Sequence, residues 1–281
     1  MTLTADFTFQ LSDTGVVLNT DPPGNFVDIT KVSGLDNAPF RTAEQNREDM
    51  DGGFIDVMYE KMRTIVLEGF VYGNELFLDT LKANFAPTML AQPFYFTAPG
   101  ISQRLAFVKS LGMRYNWETL RRTGRTPAQF IMQAEDPTLF GSLISGSASL
   151  GGTSTGFGFP FGFPFGFGGT SSVAGAASIV NAGNKSTDAT FIIPGPITNP
   201  ALVHDESGNR LSLNTTVAIG DWLTINLRNK SIRLNDVANR RGILLGTSRW
   251  FLLAPGTNTV RFLGTSTGSP VMTYTARPAY R

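Results

Sequence analysis

Gly152-Thr153-Ser154-Thr155-Gly156 has the G-x-S-x-G spacing of a nucleophile elbow. That chemistry requires a strained strand-to-helix turn that exposes the serine beside a histidine. Here the motif sits in a Gly/Ser-rich stretch with neither element around it, and it reads as linker. The single histidine, His204 in PALVHDESGNR, adjoins Asp205 in sequence, with no serine placed to complete a triad. It reads as a solvated loop histidine. Glu48, Asp49, Asp51 and Asp56 form an acidic cluster, but Met50 breaks the short regular spacing of oxygen ligands that a calcium loop needs. An acidic loop facing solvent or a basic neighbour is the better reading. Arg121, Arg122 and Arg125, like Arg240 and Arg241, fall in hairpin-like turns without interleaved aromatics, which argues against a nucleic-acid surface. Trp222 and Trp250 could stack on a sugar if exposed, but in sandwich strands they are expected in the core.

The composition narrows the chemistry further. The 281 residues include no cysteine and one histidine, which removes disulfides, thiolate metal sites and multi-histidine cages. No cofactor and no catalysis are implied. The formal charge of +1 hides a strong asymmetry: residues 1–136 sum to −5, residues 137–184 carry no charge, and residues 185–281 sum to +6. An acidic and a basic block separated by a neutral strip predict two domains with a connector. Opposite charge on the two halves favours stacked or head-to-tail contacts between copies. The start MTLTADFTFQLSD lacks the basic and apolar regions of a secretory signal, and no apolar run reaches the length of a membrane span. A soluble chain made in a cytoplasm is the expectation.

The elements that must position any site are mostly strands. Thr64–Tyr72 has apolar residues on both faces and predicts a strand covered on two sides. Gln92–Thr97 and Arg104–Lys109 flank the Pro99-Gly100 turn, and Pro127–Ala134 forms another strand before Asp136-Pro137. Glu75–Phe85 is the one helix, with Phe77, Leu81 and Phe85 on one face and Pro87 as its stop. Asn37–Gly53 is polar and weakly periodic and reads as a long functional or partner-ordered loop. From Ala177 onward short strands and tight turns, with Asp221–Asn235 as a hairpin, predict an antiparallel sandwich.

Gly141–Ser172 is rich in Gly, Ser and Phe. Phe157, Phe159, Phe161, Phe163, Phe165 and Phe167 recur at every second position, so an extended chain would project all six rings to one side. Pro160 and Pro164 exclude a central strand. Such a row must be covered, either by the chain's own domains or by a neighbouring copy.

The order of these features resembles the distal tail protein family of long, non-contractile-tailed bacteriophages. The C-terminal run carries most of the resemblance: NAGN (Asn181–Asn184), GPITNP (Gly195–Pro200), GDWLTIN (Gly220–Asn226), NKSIRLN (Asn229–Asn235) and WFLLAPGTNTVRF (Trp250–Phe262). Within the last, Leu253–Asn258 matches the family's Leu-x-Pro-Gly-x-Asn turn. RTIVLEGFVYG (Arg63–Gly73), the helix, PFYFTAPG, RLAFVKSLGMRYNW and AEDPTLFG follow in the right order before it. The Phe-Pro repeats are similar to the arm between the domains in relatives from phages of actinobacteria. Residues 185–281 are filled by one sandwich, which leaves no room for the inserted carbohydrate-binding module of some relatives.

The resemblance implies a mainly β chain: a ring-forming N-terminal β belt domain with one α-helix (1–140), a connector arm (141–176), and a C-terminal galectin-like antiparallel β-sandwich (177–281). It implies a structural virion protein at the distal end of the phage tail. Six copies form a ring that joins the tail tube to the tip complex and lines the DNA channel. Its partners are other copies of itself, the tail tube protein, the tape measure protein and a tail hub or tail-associated protein. There is no membrane, and viral DNA passes without specific binding. The acidic balance of residues 1–136 suits a bore that repels DNA. Candidate subunit or tip contacts are the six phenylalanines of the arm together with Arg41, Arg47, Asp49 and Asp51. The alternative is a lectin-like module that binds host cell-wall glycan through the sandwich.

Overall fold

The computed structural model describes residues 3, 5–20, 24–47, 50, 51, 53–150 and 175–281; for 43–46 and 53–57 it describes the backbone alone. The chain divides into two compact units, Met1–Ser142 with Tyr280–Arg281, and Leu143–Ala279.

The N-terminal unit runs β1 (Phe9–Leu11), β2 (Val17–Leu18), β3 (Phe26–Ser33), β4 (Phe40–Asn46), β5 (Gly53–Glu60), β6 (Arg63–Tyr72), α1 (Glu75–Asn84), β7 (Gln92–Ala98), β8 (Ile101–Tyr115), α2 (Trp117–Thr123), β9 (Arg125–Ala134) and β10 (Leu139–Phe140). Its main sheet has the order β2-β1-β7-β8-β9-β6-β3, with antiparallel neighbours. β8 is the hinge of this sheet. Its first half pairs with β7 and its second with β9, and the register shifts between Ser110 and Gly112. Gly112 sits at φ +114°, a backbone that a side chain would strain.

Period-2 patterning sets the core. Ile65, Leu67 and Val71 of β6 and Phe130 and Met132 of β9 turn inward, where Leu78, Leu81 and Phe85 of the α1 segment cover them. Each such side chain contributes about 1.5–3 kcal/mol of transfer free energy. The helix starts where the Asn74 side chain accepts from the Phe77 amide at 2.9 Å, a standard N-cap. Phe85 packs on Phe130 with centroids 4.6 Å apart.

The C-terminal unit holds β11 (Ile144–Ser149), β12 (Ala176–Asn181), β13 (Ala189–Pro194), β14 (Ile197–His204), β15 (Asn209–Ser212), β16 (Thr216–Val217), β17 (Trp222–Asn226), β18 (Ser231–Leu234), β19 (Ala238–Asn239), β20 (Gly256–Thr265) and β21 (Val271–Ala276). One sheet has the order β11-β21-β13-β17-β18-β19 and the other β12-β20-β14-β15, with β16 beside β14. Phe191, Ile193, Leu223 and Ile225 of the first sheet and Ile179, Leu202, Val260 and Phe262 of the second are in one buried cluster. This is the expected antiparallel sandwich. β22 (Ala279–Tyr280) then pairs with β10.

Four local expectations change. Asn37–Gly53 is not a long loop: β4 and β5 pair antiparallel from Phe40↔Glu60 to Asn46↔Gly53. Phe40, Arg41, Met58 and Tyr59 are all exposed, and such a ribbon lacks the apolar alternation by which a half-buried strand is recognised. WETLRRT is a short helix, α2, capped by the Asn116 side chain and closed by Gly124 at φ +66°, where a hairpin-like turn was expected. Ile144–Ser149, within the stretch read as connector, pairs along its whole length with β21. His204 is buried rather than solvated. Among the described residues, no helix is long and apolar enough to cross a membrane.

Candidate functional site

The β4–β5 hairpin stands apart as a sheet of two strands. Its base is fixed. The Lys61 amide donates to Pro39 O at 2.7 Å, Ala38 is buried, and the Arg281 guanidinium lies 3.4 Å from the Glu60 carboxylate. Two residues on, Arg63 is only 1% exposed. Its Nε donates to Pro137 O and its Nη1 to Gly34 O, both at 2.9 Å, and Nη1 also donates to Asp36 O. One side chain thus binds the chain entering the hairpin to the exit of β9. Burial lowers its pKa, opposed by the nearby Glu60 and Asp36 charges.

Above that base the ribbon carries apolar and aromatic side chains into solvent. Phe40 is 41%, Met58 56% and Tyr59 57% exposed, and Arg41 covers the Tyr59 ring across the strands at 5.4 Å. A two-stranded ribbon is marginal in water without a third strand or a packed face. Of the sequence-predicted contacts, Arg41, Arg47 and Asp51 lie on or beside this hairpin and are exposed. Asp49, the six phenylalanines Phe157–Phe167 and the Gly152–Gly156 motif lie outside the described residues.

The outer face of the β3-β6-β9-β8 sheet is polar. Lys31, Glu68, Gln129 and Arg114 form one cross-strand row. Lys31 is 3.4 Å from Glu68, whose other oxygen accepts from Gln129 at 3.0 Å. Beside this row runs an open trough of about 480 Å³, lined by Glu68, Phe70, Arg114 and Gln129. Arg125 lies over the Phe70 ring at 3.8 Å, and Phe26 stacks on Tyr72 at 4.6 Å. Asp28, Lys31, Glu68, Arg114 and Arg125 mix both signs on this face. The acidic surplus lies elsewhere, because residues 40–60 hold six carboxylates against two arginines.

In the C-terminal unit, His204 is 2% exposed and stacks on Phe251 at 4.9 Å. The Asn258 Oδ1 accepts from the Ala254 amide at 2.8 Å, so His204 Nε2 donates to it at 3.0 Å. The Ser207 hydroxyl donates to Nδ1 at 2.7 Å. This hub ties the 205–208 turn to the Leu253–Asn258 turn and is structural. Sequence reasoning missed it, although Asn258 had been singled out within its turn. Trp222 and Trp250 are half-buried; Trp250 packs on the core and the Trp222 Nε1 donates to Asp236 at 3.3 Å. Among the described residues, no group of three or more His, Cys, Asp or Glu side chains could hold a metal.

Residues 182–277 match the family model described as siphovirus-type tail component, C-terminal domain. No curated protein matches the sequence. The fold matches the crystal structure of the Dit protein of SPP1, described as a paradigm of the hub adsorption apparatus in phages infecting Gram-positive bacteria. The TM-score is 0.66 at 13% identity, covering 96% of this chain and 98% of that one. Two structures of the phage p2 baseplate in its activated conformation also match at a TM-score of 0.51. The calcium form is 11% identical over 95% of this chain and 97% of that one, and the strontium form 10% over 96% and 98%. The resemblance drawn from the order of the sequence motifs is borne out.

Proposed function

We propose, from the match of residues 182–277 to the siphovirus-type tail component domain and the fold shared with SPP1 Dit, that this chain is a non-catalytic, ring-forming adaptor at the distal end of a phage tail. Six copies close head-to-tail, since a heterologous interface that closes gives a cyclic oligomer. The N-terminal sheets set the bore through which DNA passes, and the sandwiches face outward. The ring joins the tail tube to the tip complex, with the tape measure and hub proteins as neighbours. The observation that carries this reading is the full-length correspondence of fold, 96% of this chain on 98% of the SPP1 protein. The exposed β4–β5 ribbon supports it independently, because its solvent-exposed Met58 and Tyr59 call for a partner. The mixed charge of the β3-β6-β9-β8 face supports passage of DNA without grip. Counterion release needs clustered cations, and here they alternate with carboxylates.

Gold-labelled antibody against the chain tests the placement. Label at the tail end away from the head supports it, and label along the shaft contradicts it. Replacing Phe161, Phe163 and Phe165 by serine is expected to weaken assembly while both units stay folded. Unaltered assembly of that variant removes the arm from the reading.

One observation favours the lectin reading. Ser145, Thr275, Thr190, Asn226 and Ser231 make an uncharged cross-strand row on the outer face of the six-stranded sheet, with Trp222 at its margin. Binding to purified neutral cell-wall glycan, lost on Thr190→Lys, would favour it.

A further inference from the structure

The β3-β6-β9-β8 sheet ends in two different margins. At one, the chain leaves β3 after Ser33, makes the β4–β5 hairpin and returns as β6. At the other, β8 runs on past its pairing with β7 and meets the segment that follows α1. The two margins are level. Ser33, Val66, Ile131 and Gly112 form one cross-strand row, about 14 Å across at the usual strand spacing.

Each margin carries apolar side chains in solvent. On the hairpin, Met58 lies opposite Thr42, and Phe40, two residues from Thr42, shares their face. Both Phe40 and Met58 are exposed. At the β8 margin Met89 is 90%, Leu90 81% and Leu111 53% exposed. This second group is held in place by Ser110, itself buried. The Ser110 hydroxyl donates to Phe85 O at 2.7 Å and its amide to Thr88 Oγ1 at 3.3 Å, while the Thr88 amide donates to Ser110 O at 3.2 Å. Residues 83–103 contain no charged side chain. The margins also differ in charge. Asp28 on β3 and Arg114 on β8 stand in neighbouring rows of the outer face, and among the described residues neither forms an ion pair.

We infer that the Phe40–Met58 face of the hairpin seats on the Met89, Leu90 and Leu111 group of a second copy of this chain, so that the β3 margin of one copy lies along the β8 margin of the next. The proposal rests on the ring reading and names the two surfaces that close the ring through its N-terminal units. Complementarity selects the occupant twice. Apolar side chains meet an uncharged apolar group, so no charge is stripped of water. The same approach brings Asp28 of one copy to the margin that offers Arg114 of the other. Both matches run in one direction, as a heterologous contact requires, whereas a symmetric contact would set like on like. Seating the hairpin also supplies the packed face that a two-stranded ribbon lacks. Because Ser110 already fixes the receiving group, little is lost in ordering it.

The chain contains no cysteine, so introduced thiols on the full chain test this directly. Met58→Cys chains mixed with Met89→Cys chains under mild oxidation are expected to give a covalent dimer. Met58→Cys chains mixed with Val237→Cys chains, whose thiol is exposed on the sandwich, are expected to give none. Met89→Glu with Leu90→Glu is expected to weaken association roughly tenfold or more in light scattering. An unchanged near-ultraviolet dichroism spectrum checks folding, and Met89→Ser with Leu90→Ser replaces the charged pair if that variant fails to fold. Rings that form without the cross-link between positions 58 and 89, or that survive the substitutions at 89 and 90, overturn the proposal and leave the ring reading standing. A wild type that never associates overturns both.

Discussion

His204 and Asn258 are 54 positions apart in sequence and meet in the sandwich interior at 3.0 Å. The Asn258 Nδ2 also donates to Ala254 O at 2.8 Å and Gly256 O at 3.0 Å, so a single amide holds the Leu253–Asn258 turn closed. Asn258→Ala leaves these groups buried without partners and is expected to lower the stability of the C-terminal unit by about 2–4 kcal/mol, read from the urea midpoint. Beside the hub, burial pushes the Glu206 carboxyl upward. The backbone amides of Glu206 and Thr259 and the neighbouring His204 outweigh it and hold the pKa below the ordinary value. A depressed folded-state value means that Glu206 contributes stability above its unfolded pKa, and that this is lost as pH falls through the folded one. Glu206→Gln is therefore expected to flatten the acid side of the stability profile below pH 4.5; an unchanged slope would contradict the role given to this carboxylate. The Leu-x-Pro-Gly-x-Asn turn was legible in the sequence because its proline, glycine and asparagine are local. The burial of His204 was not, because its partner and the Phe251 ring it stacks on arrive from β20 and the strand-like run before it.

At the scale of elements, legibility followed coverage. The α1 segment, β6 and β9 each bury one face on the N-terminal core, so their apolar periodicity announced them. In β4 and β5 the described side chains Phe40, Arg41, Met58 and Tyr59 are exposed, and Arg41, Arg47 and the carboxylates of residues 44–60 gave the composition of a loop. Arg63 gave no sign either, since an arginine at the start of TIVLEGFVY reads as a flank and not as the buried clamp of the hairpin base. α2 was hidden by its length of seven residues. The exposure of Met58 and Tyr59 gives a direct test. Met58→Ser with Tyr59→Ser is expected to leave the thermal midpoint of the isolated chain unchanged, since burial is what a core substitution loses, and to suppress self-association in light scattering. Loss of folding without any change in association would place these side chains in a core and not at a contact.

For the whole molecule, the two-unit plan and the mainly β character were readable from the order of short motifs along the chain. The fold correspondence with SPP1 Dit bears out the mainly β character. The arrangement between copies was not readable. Closure into a ring depends on surfaces whose patterning answers to a partner, such as the exposed Met58 and Tyr59 of the β4–β5 hairpin. Oppositely charged units on one chain favour an assembly that repeats one contact around an axis over one that buries a single symmetric patch. The account therefore turns on one property of the purified wild-type chain, its association state, read by light scattering with negative-stain microscopy. It predicts closed rings of six copies around a central hole. A monomer at every concentration and salt, or open chains with no closed ring, would contradict it.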